Sequence, residues 1–207
     1  DRSPSRGLGD VYKRQLKKVQ PKDLDASEIE VRLGATWVDT EYITQFMGET
    51  FHTPGYYLGS KIDVRYAAVN GQWNITGKNM DNRGNALVQS TYGTQRANAY
   101  RLLEDALNLR DTKIYDTIED ADGEHRVLNK KETMLAQQKQ EMIKEAFKEW
   151  IFRDIDRREA LCKKYNELFN SSRPREYDGS HIQFTGMTPE ITLMPHQKNA
   201  VAHILYC

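Results

Sequence analysis

Apolar residues recur along this chain at two spacings, every second position in some blocks and every third or fourth in others, and the changes divide it into elements. Ile29-Glu-Val-Arg-Leu33 alternates apolar and polar as a half-buried strand does, and Gly34 and Ala35 break it. Thr36 is then placed to N-cap a helix over 37–47, with Val38, Tyr42, Ile43, Phe46 and Met47 at helical spacing. Pro54-Gly55 marks a turn. Ile62-Asp-Val-Arg-Tyr66 and Trp73-Asn-Ile-Thr76 read as strands joined by the hairpin signal Val69-Asn-Gly-Gln72, and 77–85 reads as polar loop. A second helix is predicted from Thr94 or Gln95 to Leu107, terminated at Asn108. Residues 113–116 and 125–128 read as strands around a hairpin turn at 120–124.

One element dominates the remainder. From 130 to about 169, Leu135, Met142, Phe147, Trp150, Ile155, Leu161 and Tyr165 return every few residues with no Gly or Pro among them. Asn129 followed by Glu132 gives this helix a capping-box-like start. At about 1.5 Å per residue it would run roughly 60 Å, longer than a domain of this size is wide, so it is expected to bridge two modules. Asn170-Ser-Ser-Arg-Pro174 ends it, Tyr177-Asp-Gly-Ser180 is a turn, and His181-Ile-Gln-Phe184 a short strand. Pro195 opens a last helix carrying Ala200, Val201, Ile204 and Leu205 at helical spacing; its missing N–H would have had no intrahelical partner there. The expected fold class is α+β. A connector over 16–28 leads to a small mixed domain with short strands and two helices (29–128). The long connecting helix (129–170), a loop with a short strand (171–192) and the first helix of another domain (193–207) follow.

Composition narrows the partners. Lys+Arg and Asp+Glu both number 30, so any DNA contact must come from a local patch rather than a global field. No apolar run approaches the roughly 18 residues that cross a bilayer, and no membrane partner is expected. The two cysteines, Cys162 and Cys207, lie far apart without metal-ligand spacing, which points to a reducing, cytoplasmic setting. The first 15 residues, DRSPSRGLGDVYKRQ, show no periodicity and no initiating Met. They read as a translated read end, or otherwise a disordered basic tail, and are set aside.

Catalytic chemistry is not concentrated anywhere. The pairs Asp116 with Glu119, Asp120 with Asp122 and Asp154 with Asp156 fall on turns or a charged helix face, and the histidines show no HxxxH spacing. No GxSxG, GxxxxGK[ST] or GxGxxG occurs, so no complete catalytic or metal site is expected. Arg153, Arg157 and Lys164 share roughly one face of the long helix, with Arg173 and Arg175 just beyond, a stripe able to neutralise DNA phosphates. Asp154, Asp156 and Glu159 are interleaved, and ordinary i,i+4 pairing explains the same pattern. The aromatic set that includes Trp37, Phe46, Tyr56, Tyr57 and Trp73 reads as core rather than as a base-stacking platform.

Leu193-Met-Pro-His-Gln197 at the mouth of the last helix resembles the adenine-recognition (Q) motif of superfamily-two helicases and Swi/Snf-type translocases. The resemblance extends over 29–206 through Val31-Arg-Leu-Gly-Ala-Thr-Trp37, Tyr92-Gly-Thr-x-Arg-x-Asn-Ala-Tyr100, Leu107-Asn-Leu-Arg110, Phe147-x-x-Trp150 and Tyr165-Asn-x-x-Phe-Asn170. These look like the very large helicase–methyltransferase polypeptides of phages, plasmids and integrative conjugative elements. The resemblance implies a place between an adenine-specific DNA methyltransferase and a Swi/Snf-like helicase, running into a RecA-like domain. Carried over by position, Gln197 would contact the adenine of ATP, with Phe184 as a further aromatic contact. ATP with magnesium would serve the intact protein, S-adenosylmethionine the methyltransferase, and DNA and the adjacent domains would be partners. The methyltransferase's Asn/Asp-Pro-Pro-aromatic motif, the Walker lysine and the acidic box are absent, and the chain stops at Cys207, so the fragment itself is expected to be inert. Two other readings stand beside this one: a DNA-binding or target-recognition module of the methyltransferase, and a purely structural linker.

Overall fold

The computed structural model describes residues 20–79, 84–120, 123–172, 176–186, 188 and 190–206. The chain divides into two units, Leu24–Leu168 and a second made of Asp1–Asp23 with Phe169–Cys207.

The first unit is α+β. Its elements are α1 (Thr40–Thr50), the hairpin β1 (Asp63–Ala67) with β2 (Gln72–Thr76), and a π-helical turn (Leu87–Thr91). Next come α2 (Ala99–Leu107), the hairpin β3 (Tyr115–Asp120) with β4 (Gly123–Leu128), α3 (Lys130–Ile151) and α4 (Ile155–Phe169). Each sheet is a two-stranded antiparallel pair. The hairpins are those the alternation and turn residues predict, with Tyr66 opposite Trp73 and Ile118 opposite His125. The core gathers on Phe46 of α1, whose ring meets those of Phe51, Phe147 and Trp150 edge-on at 5.3, 5.3 and 5.4 Å. Ile43 and Met47 lie on the same buried face of α1, and Ile75, Tyr100, Leu103 and Ile143 close the core from β2, α2 and α3. Side chains of this size contribute roughly 1.5–3 kcal/mol each on burial, which anchors a short helix that could not persist alone.

Helix side chains serve where neighbouring strands are missing. The Asn108 carboxamide accepts from Trp73 N and donates to Trp73 O, both at 2.9 Å, and Glu104 accepts from Ile75 N at 2.7 Å. One turn of α2 thus covers the open edge of β2. On α3, Thr133 Oγ1 accepts from Ile114 N at 3.0 Å, Gln140 Oε1 accepts from Thr112 N at 3.3 Å, and Gln140 Nε2 donates to Arg110 O at 2.7 Å. Gln137 Nε2 adds a donor to Thr112 O at 3.4 Å. These bonds satisfy an extended stretch that pairs with no strand.

Several boundaries differ from those the pattern predicts. Ile29, Val31 and Leu33 are all buried, as alternation requires, but 29–33 is not a strand. Gly34, at φ +89°, turns the chain tightly against α2; a Cβ there would lie 2.3 Å from the Leu107 carbonyl oxygen. α1 begins at Thr40 rather than 37, after an extended Asp39, while Trp37 packs edge-on to Tyr165 at 5.4 Å. α2 begins at Ala99: Thr94 closes a loop with Ala97 (N to O 2.7 Å), and Asn98 caps the helix by accepting from Arg101 N at 3.0 Å. The first strand of the second hairpin starts at Tyr115, and 181–184 is not a strand.

The single helix expected over 130–169 is two helices. Arg157 donates through Nε to Ile151 O at 3.0 Å and through its guanidinium to Trp150 O at 2.9 Å, consuming carbonyls at the end of α3. Asp154 Oδ1 accepts from Arg157 N at 2.9 Å and starts α4. The 22 residues of α3 span about 33 Å, and α3 with nearly all of α4 lies inside the first unit instead of bridging two.

In the second unit α5 (Pro195–Tyr206) begins at the predicted proline. Gly179 N donates to Asn199 Oδ1 at 2.9 Å, and the Tyr177 ring stacks on His203 at 4.8 Å. Among the described residues no helix is long and apolar enough to cross a membrane.

Candidate functional site

Gln197 is exposed in the first turn of α5. Its Oε1 accepts from Met194 N at 2.9 Å, the half of a capping box that the third helical residue supplies, while its own N–H donates to the Met194 backbone carbonyl at 2.9 Å. The carboxamide retains a second lone pair and two donors, the set an adenine edge requires. Phe184 is half-buried and lies outside any helix or strand. The rings that meet α5 are Tyr177 and His181, the latter stacked on Tyr206 at 6.0 Å with its Nε2 3.3 Å from the hydroxyl. Sequence reasoning missed both. The Asp178-Gly179 turn between them was the available signal: the backbone N–H and then the hydroxyl of Ser180 hold the Asp178 carboxyl below its ordinary range and fix that turn.

The proposed basic stripe is not a single solvent-facing row. Arg153 is exposed in the break between α3 and α4, and Lys164 Nζ lies 2.7 Å from both carboxylate oxygens of Asp39. Arg157 is only 7% exposed, with its guanidinium 3.6 Å from the Trp150 ring centroid and 3.6 Å from Glu49. It closes a helix and is not available to a phosphate. Arg173 and Arg175 lie outside the described residues, as do 1–15 and Cys207.

Two clefts of the first unit are each rimmed by a non-glycine residue at positive φ. One, of about 330 Å³, lies among 30–33, the end of α2 and α3, with Leu109 (φ +54°) on its rim. Its charges are of both signs, and two pairs, Arg32 with Glu30 and Lys144 with Glu141, are joined at 3.0 Å. The other, of about 490 Å³, is lined by His52 (φ +52°), Pro54, Tyr56, Tyr57, Asn85 and Leu87. Among the described residues no group of three His, Cys, Asp or Glu is placed to hold a metal. Burial pushes the Cys162 thiol up, away from the thiolate a nucleophile needs.

No curated protein and no solved structure matches the chain. One family model does, over residues 32–171, which takes in every helix and strand of the first unit. That family is described as a domain of unknown function. The match covers about two thirds of the sequence, and the chain belongs to the DUF8437 family.

Proposed function

We propose that the chain is the interdomain region of a cytoplasmic, ATP-dependent DNA translocase joined to a DNA methyltransferase. The DUF8437 unit is the folded spacer, and α5 opens the RecA-like motor domain. One observation carries this reading. α5 presents Gln197 at its mouth and leaves Ile204, Leu205 and Tyr206 exposed at 79%, 60% and 52%, an apolar surface suited to a motor core. In this reading ATP with magnesium and S-adenosylmethionine belong to the neighbouring modules. The residues present fit an adenine edge, through Gln197 with Phe184 nearby in sequence. The sequence holds no glycine-lysine loop, and no ligand cluster occurs among the described residues, so in this reading phosphates and metal are left to the neighbouring modules.

The test is steady-state ATP hydrolysis by the intact polypeptide with Gln197→Ala. A raised KM for ATP with the first unit still folded supports the motor reading. An unchanged KM removes it, and the second reading then holds, that the region is a structural linker. That second reading is favoured by the capping bond between Gln197 and Met194.

A further inference from the structure

We infer that the turn at 54–57 and the cleft beside it form a stacking site for one base of single-stranded nucleic acid, with Tyr56 as the platform. Tyr56 is 71% exposed, a large ring left in water on a loop that is otherwise closed by its own backbone. Tyr57 N donates to Pro54 O at 2.9 Å, Lys61 N and Ile62 N both return to Tyr57 O at 2.9 Å, and Gly59 N bonds Ile62 O at 2.8 Å. A ring held on such a loop loses little further freedom on binding, which is what makes a rigid aromatic an efficient contact. Tyr57 backs Tyr56 at 4.4 Å between centroids, widening the apolar step.

The surroundings select the ligand. The cleft of about 490 Å³ is within the roughly 300–1,000 Å³ of small-ligand sites, and among the described residues no carboxylate lines it. Lys61 Nζ stands 4.9 Å over the Tyr57 ring, a cation at the edge of the step. His52 also lines the cleft, from a left-handed backbone position that favours glycine, so the side chain is kept at some conformational cost. The Tyr57 hydroxyl holds the Tyr56 phenol above its ordinary range, and the platform carries no charge to repel a phosphate. A proline-rich peptide would also pack on tyrosine, but it gains nothing from the Lys61 ammonium over the Tyr57 ring, whereas a polyanion does. This site does not depend on the motor reading; it would act alike in a chain with no ATPase neighbour.

The experiment is fluorescence anisotropy of the full chain with a labelled oligothymidylate of about 12 nucleotides, against a duplex of the same length and a proline-rich peptide. Wild type is expected to prefer the single strand. Tyr56→Ala should weaken that binding roughly 5- to 100-fold without changing its slope on salt, and Tyr56→Trp should restore it. An unaltered melting temperature shows that these exposed substitutions leave the fold alone. Equal affinity of wild type and Tyr56→Ala, absence of single-strand binding, or capture of the peptide instead each overturns the proposal. None of these outcomes bears on the KM test of Gln197, so the two readings fail separately.

Discussion

The Arg157 guanidinium lies over the indole of Trp150, 3.6 Å from its centroid, and reaches past it to the Trp150 and Ile151 carbonyls. One side chain therefore ends α3, covers a core aromatic and fixes the direction of α4. Arg157→Ala leaves the Ile151 carbonyl without its side-chain donor, while Trp150 O keeps its backbone bonds, and it removes the cation from the ring. It should cost about 2–4 kcal/mol in equilibrium urea unfolding. A loss below about 0.5 kcal/mol would mean that water replaces the guanidinium easily and the helix break has another cause.

Thr133→Val keeps shape and deletes the acceptor of the Ile114 N–H. An unsatisfied buried amide costs about 1–3 kcal/mol, and the hydrogen exchange of Ile114 should accelerate more than that of Ile143. Uniform acceleration across both amides would show a global effect with no local ladder behind it.

Asp116 accepts from Asn129 Nδ2 at 2.7 Å and from Arg96 at 2.8 Å, and these bonds hold its carboxyl below the ordinary 3.8. A carboxyl depressed in the folded state contributes stability that is complete above its unfolded value and is lost as pH falls through the folded one. The acid limb of the stability curve, below about pH 4, should therefore be shallower in Asp116→Asn than in wild type. Parallel limbs would remove Asp116 from the account.

Gly179 approaches the backbone of α5 so closely that a Cβ would sit 2.0 Å from Lys198 O. Gly179→Ala should free α5 from the 177–181 turn, seen as faster exchange of the α5 amides with the melting of the first unit unchanged. Protection of α5 equal to wild type would show that the close approach is dispensable.

The hairpins were legible because their information is local: alternation gives the strands and Asn70-Gly71 gives the turn. The strand at 29–33 was half legible. Period two specifies which side chains are buried, not whether another backbone lies alongside. The break at 152–154 was invisible because the apolar seam continues through it, and the donor that ends α3 comes from within the next helix. Helix starts moved for a similar reason, since Asn98 outcompetes the earlier candidates Thr94 and Gln95 once Thr94 is engaged with Ala97. Of the site, Gln197 at a helix mouth was readable from Pro195. The cleft at His52 and Tyr56 was not. Composition placed those aromatics in the core, and no pattern announces a left-handed histidine.

A strand ordinarily pairs through atoms that every residue but proline carries complete, so its ladder passes unharmed through most substitutions. Between Arg110 and Ile114 the pairing is lent by Thr133, Gln137 and Gln140, and at β2 by Glu104 and Asn108. There a change of one codon can erase a backbone bond. Inheritance can edit this fold's hydrogen-bonded frame at positions where a sheet would have kept it out of reach.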